Sequence, residues 1–243
     1  MMGLTDLGLH LGWQGGLAGG SGAAALPALG LQQFWLPLGW GLVLAALVRW
    51  LAAWVLLRRI PLYPTGNASG RFHGGLPWLL AGVTLLWSLW PGPLSVSYWL
   101  GLAFQAPSGL AVVLACNALW RAWRGPMAPS ATGAAWGWWP LALLGWVLLL
   151  DTMAWWPVSL YAWGFGPQAL GWLLFVSLLP AVAMGWRPHC AVWAMPLALL
   201  LFVALRLPTG NVWDAVLDPW LWLLAQYLAL QQLWRHLKTL RKQ

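Results

Sequence analysis

Seven apolar runs, most of them close to the length of a bilayer-crossing helix, occupy most of this sequence and leave it few ways to fold. They lie at residues 34–57, 76–90, 98–120, 137–156, 169–186, 190–205 and 219–234. A helix needs about 20 apolar residues to cross a hydrocarbon core about 30 Å thick. The whole chain has only 12 Lys and Arg and 4 acids in 243 residues. With a mean hydropathy of +0.71, that is too little polar surface to clothe a water-soluble globule of this size. The sequence therefore predicts an all-α, polytopic transmembrane bundle of about seven spans, solvated by lipid.

Charge predicts the orientation. With the N-terminus outside, the inner segments 58–75, 121–134, 187–189 and 235–243 hold ten Lys and Arg, whereas the outer segments hold only Arg206. The twelfth, Arg49, lies within the first run. Three of the four acids, Asp6, Asp214 and Asp218, fall outside. That is the positive-inside distribution of a protein with an external N-terminus and an internal C-terminus. The division is a Gly-rich external leader at 1–33, a transmembrane bundle at 34–234 and a basic cytoplasmic tail at 235–243. The net charge of +8 does not predict nucleic-acid binding, because the basic residues are scattered between apolar runs instead of lining one face.

Tryptophan supplies an independent measure. There are 25, and indoles concentrate at the headgroup boundary, where one end of the ring is apolar and the other wet. Trp138 and Trp156 bracket the fourth run, about 27 Å apart along a helix. Trp99 and Trp120, Trp172 and Trp186, and Trp220 and Trp234 bracket the third, fifth and seventh. Trp146 breaks the pattern near mid-membrane, where it is expected to pack between helices and to seek a carbonyl or hydroxyl for its N–H. Leu, Ala, Gly, Trp and Arg are abundant and Ile60 is the single isoleucine, a composition that points to GC-rich bacterial coding and so to a bacterial inner (cytoplasmic) membrane. No cleavable signal peptide is expected, since no Lys or Arg occurs in the first 48 residues.

Several motifs carry no chemistry. Gly19-Gly20-Ser21-Gly22 matches the G-x-S-G of intramembrane serine proteases, but it lies in a low-complexity Gly stretch with no histidine placed as base. Pro64-Thr65-Gly66-Asn67 and Pro208-Thr209-Gly210-Asn211 are identical, as an inverted repeat would require, yet Pro and Gly-Asn are ordinary turn residues. No glutamate, no phosphate loop and no Lys before position 238 are present, which excludes a paired-Glu metal site, a nucleotide cradle and a retinal Schiff base. His73, His189, Cys190, His236 and Cys116 fall near the predicted inner face without metal-ligand spacing, so neither metal nor cofactor is expected.

The candidate polar site consists of Gln105, Ser108, Asn117, Asp151 and Arg49. Ionisable groups inside a membrane are costly and functional by default. Arg49 and Asp151 qualify, but helix rise puts them on opposite sides of the midplane, about 10 Å apart along the normal. Arg49 otherwise sits at the inner interface with Trp50 and Trp54, and Asp151 reaches headgroup water or holds a proton. Ser97, Gly101, Gln105 and Gly109 recur every four residues on the third run, with Ser108 beside them and Cys116 and Asn117 further on. That stripe reads either as close packing through small residues or as the lining of a substrate path, to which Pro107 adds a freed carbonyl at Ala103.

Three functions follow. The first is a structural or accessory subunit of a membrane assembly, whose partners are the lipid bilayer and other membrane subunits. The second is a small permease with a polar path along the third span. The third is a membrane enzyme acting on a lipid-linked substrate, for which only Asp151, His189 and the arginines are at hand.

Overall fold

A backbone without water to bond must satisfy itself, and the helix does so within one segment. The computed structural model describes residues 26–59, 70–124, 138–155, 157, 159–183 and 190–240, and at 56–59, 70–74 and 190–191 the backbone alone. Every regular element among the described residues is helical: α1 (Leu29–Arg59), α2 (Gly70–Ser88), α3 (Val96–Phe104), α4 (Gly109–Arg124), α5 (Trp138–Thr152), α6 (Leu160–Trp163), α7 (Pro167–Ala183), α8 (Cys190–Leu205), α9 (Val212–Val216) and α10 (Pro219–Leu240). The Gly19–Gly22 motif, the first Pro-Thr-Gly-Asn turn and His189 lie outside the described residues.

The helices form a bundle. α1 runs antiparallel to α2 and parallel to α4. Gly41 faces Leu85 and Ser88, and Gly39 faces Pro107. A methyl group at Gly39 would lie 2.7 Å from the Pro107 ring, so the absence of a side chain is what lets α1 approach so closely. α4 packs on α8, α8 on α7, and α5 on α10. Among the described residues only Leu29–Val55 is long and apolar enough to cross a membrane by length and composition. The stretches Gly75–Ser88, Trp138–Thr152, Pro167–Ala183 and Val192–Leu205 are apolar but shorter. Large apolar side chains such as Phe34, Leu79, Leu102, Trp172, Phe175 and Leu230 are exposed on the outside of the bundle.

Two predicted elements change. The third run is two helices. α3 ends at Phe104, Gln105 turns into positive φ (61°), and α4 begins only at Gly109. Pro107 has no N–H and disfavours helical geometry in the residue before it, so the chain breaks here instead of kinking. The stripe Ser97, Gly101, Gln105, Gly109 is therefore not one helix face. Ser97 turns inward against Ser88 and Ser95, Gly101 meets Leu36 of α1, and Gly109 meets α8 and α9. The second change is at 206–218, expected as an external loop. It folds inward, and α9 is its buried core. Val212, Ala215 and Val216 are almost wholly enclosed and pack with Ala169, Leu199 and Phe202 of α7 and α8.

Candidate functional site

The polar side chains of the described residues concentrate where the chain turns between helices, at one end of the bundle. Every helix start there leaves amide donors without intrahelical acceptors, and two carboxylates, Asp218 and Asp151, accept from several of them. Asp218 precedes Pro219 and accepts from the Leu221 amide (2.8 Å), capping α10; its other oxygen accepts from the amide of Ser108 (2.8 Å), 110 residues away. Ser108, fully buried, caps α4 by accepting from Ala111 N–H (3.1 Å). Asp151, at the end of α5 and mostly buried, accepts from the amides of Leu160 (3.0 Å) and Tyr161 (2.8 Å) at the start of α6. The Asp151 carboxylate thus ties the start of α6 to the end of α5.

Asp214 completes the cluster. It accepts from the Tyr161 hydroxyl (2.7 Å) and from Thr209. Asn211, fully buried, caps α9 through Trp213 N–H (3.0 Å) and donates its amide to the Tyr161 carbonyl (2.9 Å). Burial, together with the hydrogen bond and negative charge of Asp214, pushes the Tyr161 hydroxyl well above the usual tyrosine range. Tyr161, Thr209, Asn211, Asp214 and Asp218 were not among the sequence candidates. The Pro-Thr-Gly-Asn tetrapeptide was a signal for them: its threonine and asparagine hold the plug in place, though only the fold shows to what.

Several tryptophans hold the helices together. Trp35 and Trp40 of α1 donate to the carbonyls of Pro107 (3.2 Å) and Gln105 (2.7 Å), both within the break between α3 and α4. Trp213 donates to Leu160 (2.8 Å) and Trp222 to Ala142 (3.0 Å). At the middle of α5 it is therefore Trp222, not Trp146, that finds a carbonyl. Trp146 is half-exposed and packs edge-on against Trp222, with ring centroids 5.3 Å apart.

The remaining candidates lie apart. The Gln105 side chain is exposed. Asn117, along α4, has a buried Oδ1 with no hydrogen-bond partner. Arg49 stacks over the Trp78 ring, 4.6 Å from its centroid, and donates to the Ala122 carbonyl at the far end of α4 (3.4 Å). Arg49 and Asp151 thus serve different elements. Among the described residues no three His, Cys, Asp or Glu side chains gather as metal ligands. Comparison with protein-family models, with curated proteins and with solved structures finds no match to this chain.

Proposed function

We propose that the chain is a seven-span bacterial inner-membrane protein, N-terminus outside and C-terminus inside, that serves as a structural or accessory subunit of a membrane assembly. One observation carries the reading. The polar groups most suited to chemistry, Asp151, Asp214 and Asp218, are engaged with backbone amides and hydroxyls of the fold itself. The exposed apolar flanks of the bundle support a lipid environment and suit neighbouring membrane helices. Helices shorter than a full crossing are accommodated by local thinning of the bilayer and by interfacial Trp and Arg.

Reporter fusions test the topology: a reporter after Gln243 is active only if cytoplasmic, and one within 157–167 only if periplasmic. Mild solubilisation tests the role. An accessory subunit leaves the membrane with partner chains in fixed stoichiometry, and a clean monomer refutes the assignment.

The break at Gln105 favours a second reading, since discontinuous helices line substrate sites in transporters. Gln105→Ala discriminates, because it leaves the hydrogen bonds of the break intact. In a permease it abolishes the uptake that the wild-type gene restores to a deletion strain; in a scaffold it is silent.

A further inference from the structure

Among the described residues Arg49 is a charge without a counter-charge. It follows a long uncharged stretch of α1, its Nε is buried and unpartnered, and its hydrogen bond among the described residues is the long contact to Ala122. A guanidinium has five donors, and a charge held in a membrane pairs with an opposite charge, a backbone carbonyl or water; one long carbonyl contact leaves most of these donors to be met. The chain has only four acids. Asp218 is bound to Ser108, fourteen residues and about 21 Å along α4 from Ala122. Asp214 and Asp151 are tied to that same distant end through Tyr161. The fourth, Asp6, lies outside the described residues. Among the described residues, then, no carboxylate faces Arg49.

We propose that the place where α1 and α2 pass the last turn of α4 binds the phosphodiester headgroup of an anionic phospholipid, with Arg49 as its ligand. Arginine pairs with phosphate through two parallel N–H donors. Basic sites between helices on the cytoplasmic side hold such headgroups. The terminal carbonyls of α4 repel an anion on their own, and Arg121 and Arg124 in the same turn reverse that sign; both are exposed, and Arg124 lies 4.5 Å over the Trp120 ring. Trp50, next to Arg49 on α1, is exposed, and an indole suits the headgroup level of a bilayer, which favours a lipid over a free phosphate ion.

The proposal rests on the membrane reading, and a first measurement separates the two. The full chain should float with vesicles of phosphatidylcholine alone; failure there refutes the membrane reading. Native mass spectrometry of the detergent-solubilised chain then compares retention of phosphatidylglycerol with that of phosphatidylcholine. The wild type should prefer phosphatidylglycerol, and Arg49→Gln should weaken that binding by about fivefold, the effect of one basic residue near a headgroup. Arg235→Gln, on the exposed end of α10, should leave the preference in place. Equal preference in R49Q and wild type overturns the proposal, as does displacement of the lipid by inorganic phosphate. If R49Q fails to fold, Arg49→Lys keeps the charge but loses the bidentate fork, and an undiminished preference in R49K is equally fatal.

Discussion

Adding one methyl group at Gly145 should loosen the junction of α5 and α10. The built Cβ of an alanine there lies 2.6 Å from Cγ of Trp222, with Cδ1 and Nε1 closer still. Trp222 has little room to retreat. Its indole N–H donates to Ala142 at 3.0 Å, and its ring meets Trp146 edge-on at an interplanar angle of 79°. Overpacking of this kind costs about 1–3 kcal/mol, and displacing the indole from Ala142 adds about 1 kcal/mol. Replacing Gly by Ala within a helix returns about 1 kcal/mol. The net destabilisation is about 1–3 kcal/mol, or a lowering of Tm by roughly 2–10 °C for a chain of this size. Gly171 is the matched control. It lies in α7 with open space where the methyl would go, so G171A should gain up to about 1 kcal/mol. Thermal unfolding in one mild detergent, followed by circular dichroism, compares them. A G145A protein as stable as wild type would refute the close contact between α5 and α10.

Asp218→Ala removes the cap of α10 and strands the buried Ser108 amide, and should cost about 2–4 kcal/mol; hydrogen exchange at Ser108 and Leu221 should accelerate along with the fall in Tm. Trp40→Phe leaves the Gln105 carbonyl without its indole donor and should cost about 1 kcal/mol, read by denaturant titration. Tyr161 controls an alkaline limb. Its folded-state pKa is raised above the ordinary 10.0, so folding favours the protonated hydroxyl and stability falls as pH rises above that value. In Tyr161→Phe that part of the decline should disappear, and an unchanged alkaline limb would exclude the Tyr161–Asp214 pairing.

Helix positions were readable because an apolar run has no other way to satisfy its backbone. The 190–205 run coincides with α8, and Asp218 before Pro219 foretold the start of α10. Pro107 was visible too, but whether a proline kinks or ends a helix depends on what bonds the backbone around it. Here Trp35 and Trp40 bond the Pro107 and Gln105 carbonyls from a helix some 65–72 residues earlier, a relation no local pattern contains. The polar cluster was hidden for the same reason. Asp218 was recognised as a local cap, while its bond to Ser108 spans 110 residues. Asp151 was singled out for its cost in lipid, yet its acceptors' partners are amides of a four-residue helix too short to leave a periodic signal. Burial of 206–218 was missed because Pro, Thr, Gly and Asn read as an exposed turn wherever the surrounding fold is unknown.

The inward-folded segment around α9 has a consequence for biogenesis. It is the hub on which α4, α7 and α8 meet, yet it emerges from the ribosome after all of them. Helices made earlier can form one by one, but their shared interior has no filling until residues 207–216 arrive. A nascent chain halted near residue 205 would therefore hold six of the seven long helices around an unfilled centre. Final compaction belongs to the last stage of synthesis, and quality-control proteases that sense loosely packed helices have their window before it.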